Sequence, residues 1–244
     1  MNRFYYDLHM HSCLSPCGDD EMTPGNIAGM GKVAGLDIMA LTDHNTCRNC
    51  PAFFRQAEAN GIVPVPGMEL TTAEEIHIVC LFPSLEGALA FEESLQSRRT
   101  LIENRPDIFG RQLIIDESDG IAGEEKYMLP NALNITVDEV PEAVKEYGGV
   151  CFPAHIDREA NGIIAVLGTL PETPAFTCAE IKDAEKDGEL KEKYPLLKEK
   201  TIIHSSDAHY LWDINGRDNF IELDAPADDF SLIRQRLIER LKQI

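Results

Sequence analysis

The stretch Phe4-Tyr5-Tyr6-Asp7-Leu8-His9-Met10-His11-Ser12 decides the fold. Phe4 to Leu8 reads as a short strand, and the alternation of extended chain then puts His9 and His11 on one face. Alone, such a pair suits chelation or solvent equally. The same arrangement recurs along the chain, however: Asp43-His44 follows Asp37 to Thr42, Glu69 follows Ile62 to Pro66, His155 follows Val150 to Ala154, and Asp207-x-His209 follows Thr201 to His204. His77 sits within the apolar run Ile76 to Phe82, where a satisfied strand histidine is the bland alternative to a ligand. Imidazoles and carboxylates gathered in this way describe a metal site with more donors than one ion takes. His204 precedes Ser205-Ser206-Asp207, fits inside its strand and is read as structural.

Helices alternate with these strands. Thr23-Pro24 supplies an N-cap and a first-turn proline, and Gly35 closes that helix. Pro51 to Asn60 is a helix stopped by Gly61; Ser84 to Arg98 and Thr136 to Tyr147 are two more, the latter opened by a Thr-x-x-Glu capping box. Strands are expected again at Cys178 to Ile181 and Phe220 to Leu223, and the chain closes on an amphipathic helix bearing Phe230, Ile233, Leu237 and Leu241 on one face. About seven or eight β/α units point to a parallel barrel, whose sites assemble beyond the strands' C-terminal ends. Ligands far apart in sequence then share one address.

A chain of 244 residues with 43% apolar content is read as one domain, 1–244. Its formal charge of −20 lacks the basic footprint of a protein that grips long nucleic acid, so long nucleic acid is expected to be an unlikely partner and a small anionic substrate a better one. Seven cysteines and an N-terminus without the form of a secretory leader place the protein in the cytoplasm. No run is long and apolar enough to cross a bilayer, and no membrane or protein partner is implied. The charged stretch Lys182 to Lys200 is read as a solvated helix and loop on the exterior.

Asp7-Leu8-His9-Met10-His11-Ser12, Leu41-Thr42-Asp43-His44-Asn45, Gly67-Met68-Glu69, the His77 strand, Pro153-Ala154-His155 and Ser205-Ser206-Asp207-Ala208-His209 resemble, in order, the motifs of the PHP (polymerase and histidinol phosphatase) family. The resemblance runs from about residue 4 to 224. It implies an α/β fold, a distorted (β/α)7 TIM-like barrel, with two or three divalent metal ions and phosphate-ester hydrolysis. It further implies that His9, His11, Asp207 and a bridging Glu69 hold one ion, Glu69, His77 and His155 a second, and His44 and His209 a third. A ligand from the first loop completes that third site. About three extra residues interrupt this loop within Cys13 to Cys17, and counting back from Pro24 nominates Asp19, with Asp20 as rival. Residues 99–135 are similar to the small cap insertion of related proteins, with Asp116 to Glu125 as loop.

The chemistry supports those roles independently. A carboxylate bridging two ions about 3.5 to 4 Å apart clamps the attacking and leaving oxygens of a phosphoryl transfer, and shared water with a pKa lowered to about 7 supplies a bridging hydroxide at neutral pH. Glu69, Asp207, His209 and Arg158 are the expected catalytic set. Asp7 and Asp43 are candidates for orienting ligand imidazoles, or else ordinary strand-end carboxylates. Arg158, three residues after His155, is the first candidate for gripping a phosphate, ahead of Arg217 and Lys182. Cys13-x3-Cys17 and Cys47-x2-Cys50 follow neighbouring strands and are read as free thiols, as a soft-metal site or as a redox-sensitive pair. Zinc, manganese and iron all suit nitrogen and oxygen ligands. The expected activity is metal-dependent hydrolysis, as phosphatase or phosphodiesterase, of a small nucleotide or phosphorylated metabolite. The alternatives are a histidinol-phosphate phosphatase, an exonuclease on short oligonucleotides, and a non-catalytic metal-binding module.

Overall fold

A six-stranded sheet in the order β10-β1-β2-β3-β4-β7 is the frame on which the histidines are hung. Its strands are β1 (Asn2–Asp7), β2 (Ile38–Leu41), β3 (Val63–Thr71), β4 (His77–Leu81), β7 (Val150–Pro153) and β10 (Phe220–Leu223). Two smaller sheets complete the strand set: the hairpin β5 (Leu113–Ile115) and β6 (Ile121–Glu124), and the parallel pair β8 (Cys178–Glu180) and β9 (Thr201–Ile203). The helices are α1 (Pro24–Ala34), α2 (Cys50–Ala59), α3 (Leu85–Ser94), α4 (Pro106–Phe109), α5 (Val140–Glu146), α6 (Ile163–Leu167), α7 (Asp187–Lys193) and α8 (Phe230–Leu241). This computed structural model describes residues 1–243.

The α/β class is as expected, but the sheet is curled and mixed rather than a regular run of seven parallel strands. Only β1, β2 and β3 pair in parallel; β4 runs against both β3 and β7, and β10 against β1. The reason lies in a short connection. Thr72 N–H donates to the Ile76 carbonyl at 2.9 Å and Glu75 adopts φ +64°, so β3 and β4 form a hairpin with no room for the crossover helix a parallel pair requires. Beyond β1 and β9 the chain draws together again: Asp207 N–H donates to the His9 carbonyl and His11 N–H to the Ala208 carbonyl, at 2.8 and 2.9 Å. On the other side, Ile156 N–H reaches the Glu180 carbonyl at 2.9 Å.

Local signals explain the helices. Thr23 caps α1 through Asn26 N–H at 3.2 Å, and Gly35 ends it in the left-handed conformation that L side chains resist. In α8, Ile233, Leu237 and Leu241 are buried against the face of the sheet that carries Phe4, Tyr6, Leu8, Val63 and Val65. The Thr136–Glu139 pair does form, with Thr136 N–H to Glu139 Oε2 at 2.8 Å, but it closes a turn ahead of α5 rather than capping the helix. Lys182 to Lys200 carries α7 and two short 3₁₀ segments, with Leu197 its buried anchor. In the segment 99–135, Leu113 and Ile115 pack on Cys13 and Ala52, and Asp119 accepts hydrogen bonds from Gly25 N–H and Thr23 Oγ1. Part of the stretch read as loop, 121–124, is the second hairpin strand.

Candidate metal centre and active site

Glu69 lies within β3, and its carboxylate is the hub of the molecule. Oε1 is 3.3 Å from His9 Nε2, 2.8 Å from His77 Nδ1 and 3.0 Å from His155 Nε2. Oε2 is 3.3 Å from His11 Nε2 and 3.0 Å from His44 Nδ1. Asp207 Oδ1 adds contacts of 3.5 and 3.2 Å to the same nitrogens of His9 and His11. Three overlapping donor sets result: His9, His11, Glu69 and Asp207; His44, Glu69 and His77; and His11, His44 and His209. The hairpin explains His77, which opens β4 opposite Thr71 and so returns to the rim that Glu69 occupies.

The donors suit a divalent cation on two counts. Ligand atoms about 2.1 Å from a tetrahedral ion lie roughly 3.4 Å apart, and the contacts around Glu69 and Asp207 fall close to that spacing. Further, Nε2 of His9 and His11 and Nδ1 of His44 and His77 are buried and make no well-aligned hydrogen bond with the carboxylate oxygens they approach, an arrangement a cation between them would satisfy. The opposite ring nitrogens are held where the sequence gave no warning. His9 Nδ1 meets both oxygens of buried Glu180 at 2.9 and 3.0 Å, and Glu180 also accepts from His155 N–H at 3.1 Å. Glu180 was not singled out from sequence; its position at the end of β8, like that of the other donors at strand ends, was the available signal. His11 Nδ1 lies 3.0 Å from Ser15 Oγ, whose hydroxyl donates to Asp43 at 2.7 Å, so Asp43 orients His11 through a serine. Asp7 touches no imidazole. It accepts from Ser206 N–H and Asn215 N–H and fixes the backbone beside Asp207. His155 and Asp207 carry φ of +27° and +48°, strain that their surroundings hold in place.

Charge is divided unevenly across the cluster. Burial opposes a charge on His11, but Asp207 and Glu69 outweigh it and raise the imidazole to about 9. His44 and His209 are pushed down to about 4 and about 3, chiefly by burial and then by neighbouring imidazoles, and stay neutral with lone pairs free. Glu69 and Asp207, despite burial, are held below the usual carboxylate range by the surrounding histidines.

The first loop departs from expectation. Asp19 Oδ1 accepts from Glu21 N–H at 2.9 Å and stands outside the donor sets, while Asp20 is exposed. The expected carboxylate of the third set is thus absent from it among the described residues. Cys17, in the same loop, is exposed. Of the expected phosphate-binding cations, Arg158 Nη1 lies 2.7 Å and Lys182 Nζ 3.7 Å from Asp207 Oδ2, each with its side chain over a third exposed. Arg217 is placed differently. Its guanidinium stacks 3.9 Å over the Tyr5 ring, and Arg217 is in none of the donor sets. The four thiols of the two cysteine pairs do not meet either. Cys13 packs under the hairpin, whereas Cys47 and Cys50 enter the core and donate toward the Gly67 carbonyl at 3.2 and 3.7 Å. His204 is structural, with Nδ1 on the Ile181 carbonyl at 2.7 Å.

The sequence profile of the PHP domain matches residues 7–148. A 5′-3′ exoribonuclease of Salmonella typhimurium is 32% identical over 111 residues, and one of Haemophilus influenzae 30% over 104; the match covers 37% of either relative's length and 41% and 39% of this chain. Among solved structures, an endonuclease Q complex with a 27-mer duplex bearing an abasic lesion aligns at TM-score 0.66 and 20% identity, over 96% of this chain and 56% of that one. A Bifidobacterium adolescentis protein described as a metal-dependent phosphoesterase aligns at TM-score 0.59 and 19% identity, over 95% of both chains. The expectation against long nucleic acid is therefore corrected. A protein of this fold is seen on a DNA duplex, and relatives in sequence are exoribonucleases. Net charge is a sum over the whole surface, whereas a strand meets only the groups at one mouth. No helix among the described residues is long and apolar enough to cross a membrane.

Proposed function

The chain belongs to the PHP family, and on that premise we propose that it is a metal-dependent phosphoesterase cleaving phosphate esters of nucleotides, oligonucleotide ends included. The observation that carries this reading is the Glu69 carboxylate, ringed at 2.8–3.3 Å by His9, His11, His44, His77 and His155. His9, His11, Glu69 and Asp207 would hold one ion, Glu69, His77 and His155 a second, and His11, His44 and His209 a third. Zinc, manganese and iron fit this nitrogen and oxygen donor set. Such ions supply Lewis acidity toward phosphoryl oxygens and acidify water.

The chain's own residues do the rest. Arg158, now paired with Asp207, has an exposed guanidinium that can turn to a phosphate, with Lys182 beside it. His209 Nδ1 lies 2.9 Å from the Asp207 carbonyl; with the proton there, Nε2 keeps its lone pair. Asn45 binds the Leu129 and Asn131 carbonyls at 2.8 and 3.0 Å, tying the rim to segment 99–135, which we assign as the cap that shapes the pocket. Seven free thiols suit a reducing, cytoplasmic setting.

The test is a panel of phosphomonoesters, dinucleotides and 5′-phosphorylated oligonucleotides, run on chelated protein reloaded with manganese, iron(II) or zinc. Turnover of a nucleotide ester that disappears on chelation and in Glu69→Gln is expected. Absence of turnover on every ester with every metal would overturn the reading.

A further inference from the structure

One residue beyond His209 the chain exposes aromatic surface that the metal cluster does not use. Tyr210 and Trp212 stack on each other with ring centroids 4.9 Å apart and planes 17° from parallel, although 40% of Tyr210 and 73% of Trp212 face solvent. Tyr210 is extended and a single 3₁₀ turn, Leu211–Asp213, returns Trp212 beneath it, so the pair is preformed rather than recruited. Trp212 is the single tryptophan of the chain. An exposed indole and phenol of this kind offer a flat, rigid, apolar face at little conformational cost.

The surroundings say what that face suits. Trp212 comes three residues after His209, at most about 10 Å of extended chain, which is about three base steps at 3.4 Å. The His209 ring packs 4.4 Å from that of His11 inside the cluster. Arg158 and Lys182, the cations at the mouth, meet on Asp207 two residues before His209. Cations at the phosphate position with an aromatic face one short step away match an unpaired nucleotide chain, which offers charge along its backbone and a π-face on every base. Such a face also lets a protein with a net charge of −20 hold nucleic acid without a basic groove, since stacking is indifferent to salt.

We propose that Tyr210 and Trp212 form a stacking platform for an unpaired nucleobase next to the phosphate ester being cleaved. This rests on the reading of the cluster as a phosphoesterase centre, and the experiment separates the two. Metal-free protein is titrated with short single-stranded RNA and DNA, with an abasic strand of equal length and with blunt duplex, following the lone indole by fluorescence and binding by anisotropy. Base-bearing strands should quench Trp212 and bind about tenfold or more tightly than the abasic strand. Trp212→Ala should lose about that factor, Trp212→Phe should restore most of it, and neither should change metal content or melting temperature. With two mouth cations, the log–log salt slope should be shallow, about −1.4. Quenching by RNA or by DNA supports the platform, the tighter one naming the preferred sugar. Equal binding of abasic and base-bearing strands, or an unaltered Trp212→Ala, would overturn it. Quenching without turnover of any ester would sink the phosphoesterase reading and leave the platform standing.

Discussion

The rim cluster and the buried thiols both follow strands and both carry metal-ligand residue types, and the fold treats them in opposite ways. At the rim, five imidazoles close on one carboxylate and leave buried nitrogens without partners. In the core, Cys47, Cys50, Cys80 and Cys151 sit among apolar side chains. Burial raises the Cys47 and Cys80 thiols well above their ordinary value, so they remain protonated and donate weakly to carbonyls. Both sets carry residue types that ligate metals. What separates a site from a core is convergence upon unsatisfied lone pairs.

Glu69→Gln attacks that difference hardest. Removing the shared charge is expected to cut metal affinity by about 10³-fold or more and abolish turnover, read by metal analysis after dialysis while circular dichroism stays native. Glu180→Gln should cost about 10- to 100-fold in metal affinity, because it removes the group that orients His9 and the His155 backbone. Acidity gives an intermediate effect. His11 is raised to about 9, so a proton competes with the cation below that value and affinity should fall about tenfold per unit as pH drops from 9 toward 6.5. Metal-free protein should trend the other way: stability owed to charged His11 is complete below 6.5 and is lost as pH rises through 9, about 3 kcal/mol in thermal melts. Joint replacement of Cys47 and Cys50 by serine should leave metal and sulfide content unchanged while lowering stability by about 1–3 kcal/mol. Arg217→Ala, which removes a side chain stacked on Tyr5 and outside the donor sets, should leave kcat/KM unchanged.

The sequence exposed the rim more fully than the sheet. His9, His11, His44, Glu69, His155 and Asp207 were legible because each follows an apolar run, and the caps Thr23 and Gly35 and the face of α8 were legible because they are local. Strand direction was not, since it depends on whether Thr72–Ile76 is a turn or the start of a crossover, and the turn reversed β4. Glu180 escaped notice because an isolated glutamate carries no spacing signal until β8 is placed beside His9. Counting back from Pro24 to Asp19 assumes a loop of fixed path, whereas the Asp19 carboxylate accepts from Glu21 N–H. The total charge misled because it averages away the mouth.

Anomalous diffraction from crystals soaked in manganese or zinc tests the central claim most directly. The account predicts separate peaks at ligand distance from the two Glu69 oxygens, one flanked by His9, His11 and Asp207 and another by His77 and His155. Peaks confined to the cysteines or the surface, with none touching Glu69, would contradict it.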